Sequence, residues 1–177
     1  RLNDAVVEKI ELVMKQAGVS VEDREVVRYA LERSEKTDDQ PAVAIRLHDG
    51  RIITGKTSDL LGASAAALLN AVKAISGIDK EKYLIAPSVI EPIQKLKTEV
   101  LGNRNPRLHS DEVLIALSIS AASNEAALLG MQNLSELRGC EAHSTVILTQ
   151  SDQETYRKLG INLTSEPKYQ TKKLYHK

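Results

Sequence analysis

The stretch PAVAIRLHDGRIITGKTS, residues 41–58, decides the fold. Val43, Ile45 and Leu47 alternate with smaller or polar residues, the period-2 pattern of a half-buried strand, and His48-Asp49-Gly50 supplies a tight turn. Extended chain resumes from Arg51 to Gly55, so the segment predicts a β-hairpin. The letters from Gly50 to Thr57 also satisfy the Gly-x-x-x-x-Gly-Lys-Thr pattern of a phosphate-binding loop. Such a loop wraps phosphate with free backbone N–H groups, whereas Ile52 and Ile53 belong to an alternating strand, so the pattern is not expected to act as a whole. Its second half, Gly55-Lys56-Thr57-Ser58, is expected to lead into a helix N-terminus, where free N–H groups and the helix dipole favour an anion.

Downstream, Ser58 is read as the cap of an Ala-rich helix through Leu68, Val72 and Ile75 that ends near Gly77. Tyr83–Ala86 reads as a short strand, and Ser88 with Glu91 as a capping box before a helix to about Leu101 in which Pro92 falls in the first turn. A polar loop over 103–110 precedes an apolar strand over 113–120. Ser123 caps a helix closed by Gly139, His143–Thr149 reads as a buried strand, and Ser151 with Glu154 opens a helix that stops at Gly160. Upstream, residues 2–17 form an amphipathic helix stopped by Gly18; Ser20 and Asp23 box the start of a second, whose apolar face gives way to the polar run 34–40. The order predicts an α/β fold: a three-layer sandwich with a mixed sheet (41–177), preceded by a short helical pair and linker (1–40). The end, 166–177, reads as a solvated tail.

Composition narrows the function classes. The 177 residues carry 24 basic and 24 acidic side chains, so no global field draws the chain to nucleic acid or an anionic membrane. There is no Phe or Trp and there are five Tyr, few platforms for stacking bases. One cysteine, Cys140, fits a reducing compartment, and cytoplasm is expected. No run of about 18 apolar residues exists to span a bilayer. The start at Arg1 suggests a piece of something longer.

Several polar groups invite chemistry. Lys56, Thr57, Ser58, Ser88, Arg104, Asn105 and His109, with Asn103 and Arg107 beside them, offer donors and charge for a phosphate-bearing small molecule, the leading reading; an assembly domain without a ligand, its Ala-rich faces packing a homo-oligomer, is the alternative. No metal site is legible in the four histidines and no cofactor is specified. Strand alternation sets Cys140 and His143 on opposite faces, against a nucleophile–base pair.

Hairpin, helix, then Ala86-Pro87-Ser88 and another helix is similar in topology to the cytidine deaminases. Where those enzymes carry zinc ligands and a proton-shuttling Glu, this chain has Ser64 and Ala66, then Pro87-Ser88-Val89-Ile90-Glu91, so the resemblance implies the fold without the zinc. A second resemblance covers nearly the whole chain. Leu61-Gly-Ala-Ser-Ala-Ala, the run from Ala86 to Lys97, Asn105-Pro-Arg-Leu-His, Asp111-Glu-Val-Leu-Ile-Ala-Leu-Ser-Ile-Ser and Leu159-Gly-Ile-Asn-Leu-Thr resemble the C-terminal part of the bacterial family known as domain of unknown function 1846. That resemblance implies a longer protein with an N-terminal region that holds its own glycine-rich loop and is this domain's partner, the two sharing a cleft. It transfers no catalytic residue.

Overall fold

Alternation along 41–58 produces the expected hairpin. In the computed structural model, which describes residues 2–16 and 24–170, β1 (Ala42–Arg46) pairs antiparallel with β2 (Ile52–Lys56), Ile45 opposite Ile53 and Val43 opposite Gly55. Gly50 takes φ +90° at the turn, where its N–H donates to Leu47 O. β3 (Glu141–Ser144) runs antiparallel to β1, and β4 (Asn162–Ser165) runs parallel to β3, giving a mixed four-stranded sheet in the order β2-β1-β3-β4.

Side-chain alternation sorts the apolar residues. Val43, Ile45 and Ile53 join a core with α3 (Ala63–Ser76), whereas Ala44 and Ile52 pack with Val26, Val27 and Ala30 of α2 (Glu25–Glu35). The Ala-rich sequence of α3 lets it lie close to β2. A Cβ on Gly55 would stand 2.2 Å from Ala67 N and 2.6 Å from its Cα, so the glycine of the phosphate-loop pattern is demanded by helix packing. α1 (Leu2–Gln16) opens the described chain; the box at Ser20 and Asp23, Gly18, and residues 171–177 of the tail lie outside the described residues.

Three expectations give way, and one strand has no counterpart in the sequence reading. The apolar run 113–120 is helical: α5 (Ser110–Ser120) opens with Asp111 and Glu112, acids that suit a helix N-terminus. Tyr83–Ala86 is irregular, because Leu84 and Ile85 both enter the same core and a strand would send them to opposite faces. The strand at His143 begins earlier and ends at Ser144, whose Oγ donates to Val146 O and turns the chain. β4, an edge strand with the single apolar residue Leu163, carries no apolar alternation by which to read it.

Caps shift too. Gly62 stands at the N-cap of α3 and Ala86 at that of α4 (Pro87–Lys95), so Pro87 occupies the first turn and Pro92 lies inside the helix. α4 runs on into a π-helical turn, Leu96–Val100. Asn124 rather than Ser123 caps α6 (Glu125–Gln132), its Oδ1 accepting from Ala126 N and Ala127 N. α7 (Gln150–Lys158) starts after Thr149.

Replacing Gly55 by Ala is expected to lower stability by about 3 kcal/mol, since backbone atoms of α3 must move, while Lys56→Ala shifts it by less than about 0.5 kcal/mol. Urea unfolding of the two variants checks the contrast.

Candidate functional site

Three helix beginnings, those of α3, α5 and α7, meet around one carboxylate. Asp152, in the first turn of α7 and 4% exposed, accepts the N–H of Ser110, the first residue of α5, on Oδ1 at 2.8 Å. Its Oδ2 accepts from Thr149 Oγ1 at 3.1 Å and lies 3.4 Å from His109 Nδ1. Thr149 is the N-cap of α7 and accepts Asp152 N on the same hydroxyl. α3 joins through Ser64: its Oγ accepts from Ser110 Oγ at 3.0 Å and its carbonyl from the buried Tyr156 hydroxyl at 2.7 Å.

A second ion set flanks the first. Glu112 reaches back to His109 N at 2.8 Å and takes Lys97 Nζ at 2.6 Å; Lys97, almost wholly buried, also donates to Arg107 O. Burial works against ionisation of Asp152, yet hydrogen bonds from His109 and Ser110 outweigh it and hold the pKa at about 2. The hydrogen bond to Asp152 raises the His109 pKa in return, over the opposing effect of burial. A recess of about 30 Å³ opens beside this cluster. That is room for a water or two.

Thr57, Asn105 and His109 line the recess. The other four expected residues do not. Lys56 ends β2 exposed, and exposed Ser58 spends its Oγ on the N–H groups of Leu60 and Leu61 in a turn ahead of α3. Ser88 is the exposed second residue of α4, and Arg104 lies exposed in its loop. Arg107 is turned inward, its Nε donating to Ser58 O, and Asn105 Oδ1 accepts from Arg107 N. Asp152, Ser110 and Tyr156 have no place in the sequence reading of the site, and Ser64 enters only as the counterpart of a deaminase zinc ligand. The sequence does carry a signal for Asp152, because Thr149-x-x-Asp152 has the same cap spacing as Ser151-x-x-Glu154.

The leading functional reading is therefore corrected. A phosphate at the N-terminus of α5 would meet Asp152 and Glu112, carboxylates that already take the amides of Ser110 and His109. At α3 the expected lysine ends β2 and the hydroxyls of Thr57 and Ser58 follow it, both ahead of the helix. The protein supplies its own anion, and a phosphate-bearing ligand at helix N-termini finds no support.

Away from the recess, Cys140 packs in the core with Ala142, and burial pushes its thiol pKa up. His143, 1% exposed, holds Thr164 Oγ1 at 2.8 Å from Nδ1, and its Nε2 lies 3.8 Å from Glu166. Burial, helped by Arg24, lowers its pKa to about 4.

Fold and site thus define an α/β domain whose polar centre is closed on itself. The chain belongs to the family described as Domain of unknown function DUF1846, C-terminal, whose model matches residues 22–175. It is 58% identical over 176 residues to a UPF0371 protein of Corynebacterium efficiens, covering 99% of this chain and 35% of that protein. A UPF0371 protein of Streptococcus thermophilus is 53% identical over 177 residues, covering 100% of this chain and 36% of that protein. The chain spans about a third of the length of the curated relatives it matches. Among the described residues no helix is long and apolar enough to cross a membrane.

Asp152→Asn is expected to cost about 2–4 kcal/mol at pH 7, because Ser110 N, Thr149 Oγ1 and His109 Nδ1 lose a charged acceptor. His143 has the opposite linkage to a stabilised cation: its folded pKa of about 4 lies below the ordinary 6.5, so the unfolded chain binds the extra proton between those values. Stability should fall by on the order of 2–3 kcal/mol as pH drops from 6.5 to 4, and a His143→Gln variant should lose that slope. Chemical denaturation across this pH range measures both effects.

Proposed function

We propose that this chain works as the C-terminal domain of a polypeptide about three times its length, and that it acts by packing against the rest of that polypeptide through α1. The carrying observation is the open apolar face of α1, where Val6, Ile10 and Val13, at i, i+4 and i+7, are each more than half exposed. Similarity to the relatives runs through α1, whereas the C-terminal family model begins after it, at residue 22. A helix shared between two domains gives that pattern. Exposed apolar residues at helical spacing are stabilised by a covering surface.

The interior supports a packing role. In the deaminase-like, three-layer reading of the fold, Ser64 stands where zinc deaminases carry a ligand, and here it is engaged by Ser110 and Tyr156. Strand order and the packing of α2 and α3 on different strand faces support that reading. Asn105 and His109, half-buried at the recess, then meet the adjoining region as hydrogen-bonding groups, while Thr57 stays buried. One buried thiol favours the cytoplasm.

Ile10→Asp with Val13→Asp in the longer polypeptide is the test. Calorimetry should show two unfolding transitions where the unaltered polypeptide shows one, while the 177-residue chain carrying the same pair changes by less than about 0.5 kcal/mol. A single unchanged transition in the altered polypeptide overturns the proposal. So does a concentration-dependent dimer of the 177-residue chain that the pair abolishes, which would assign α1 to a second copy.

A further inference from the structure

β2 is the end strand of the sheet, and among the described residues no strand pairs with its outer edge. The hydrogen bonds Leu47 N to Arg51 O and Thr57 N to Pro41 O fix the alternation: the backbone groups of Ile53 and Gly55 face β1, so those of Ile52, Thr54 and Lys56 face outward. Asn70 of α3 donates to Thr54 O at 3.0 Å, which leaves the Thr54 N–H and both groups of Ile52 without a partner at that edge among the described residues. Beside them lies a groove of about 840 Å³, with α2 and Tyr29 on one side and α3 with the turn after it on the other.

Charge in the groove is uneven. Arg33, Arg51, Lys73 and Lys80 line it against one acid, Glu25, which is itself 4.0 Å from Arg46. Arg51 is held by Asp49 at 2.8 Å, and Asp79 and Glu81 lie near enough to Lys73 to act on its charge. Arg33 has no such relief: its Nε–H is buried and finds no acceptor among the described residues. A buried guanidinium donor without an acceptor costs stability, and a carboxylate satisfies it best.

We infer that the β2 edge binds an extended, acidic segment of a separate protein by strand addition. Main-chain pairing to Ile52 and Thr54 sets the segment's position. Successive side chains of an added strand point to opposite faces, so acidic residues on one face meet Arg33 on α2, and those on the other meet Lys73 and Lys80. A separate protein is favoured over the rest of the same polypeptide by composition. Permanent interfaces are apolar, as the face of α1 is, whereas this groove is rimmed by charges that suit a partner that comes and goes. The inference does not depend on α1.

The probe is a fluorescein-labelled peptide, TEEVEEVT, titrated into the 177-residue chain by fluorescence polarisation, with its amide spectrum followed in parallel. Binding is expected, with the amides of Ile52 and Thr54 shifted. Arg33→Ala with Lys73→Ala should weaken it by at least about tenfold, and Lys80→Glu, a change at an exposed side chain, by about threefold or more. The inference is overturned by no binding, by equal binding of a peptide with lysine in place of glutamate, or by binding that leaves the β2 amides unmoved. It is overturned too if the longer polypeptide refuses the peptide that the 177-residue chain accepts, since its own chain then fills the groove.

Discussion

The hydrogen bond from Ser110 N to the Asp152 carboxylate is the contact on which the helical side of this domain depends. An α-helix starts with amides that have no internal partner, and burying that start demands an acceptor. Here one buried carboxylate serves α5 directly and α7 through Thr149, while Ser110 and Tyr156 carry the connection to α3. Hydrogen bonds from His109 and Ser110 keep the carboxylate charged against burial that would otherwise protonate it, and a negative charge at helix N-termini also suits their dipoles. The same contact answers the question of an external anion, because the place is taken.

The sheet supplies the other half of the constraint. Close approach of α3 to β2 requires the absence of a side chain at Gly55, and that approach brings Ala63 and Ser64 to the cluster. Hairpin, glycine and Ala-rich helix form one unit, and the polar centre is fastened to its end. A motif that reads as nucleotide binding thus turns out to be a hairpin with a tight helix contact, and the two readings differ only in where the backbone N–H groups point.

Local patterns made much of the fold legible. The hairpin, α3 and the helix after Pro87 followed from alternation, helical spacing and a glycine stop. The run at Val113 misled because an apolar stretch without period fits a buried strand or a buried helix, and its acidic first turn was the deciding sign. Leu84 and Ile85 misled because apolar content alone does not say which faces a backbone presents. The site was less legible for a physical reason: Ser64, Ser110 and Asp152 are far apart in sequence, and none stands out alone. Thr57, Asn105 and His109, expected from sequence as donors to a ligand, come together beside a charge contributed from α7.

The central claim is that Asp152 is the domain's internal anion, and the carbon-13 shift of its carboxyl group, followed by NMR from neutral to strongly acid pH, tests it most directly. Ionisation that persists down to about pH 2, with the Ser110 amide shifting at the same midpoint, is the result this account requires. A carboxyl that titrates at the ordinary 3.8, leaving the Ser110 amide unmoved, would contradict it.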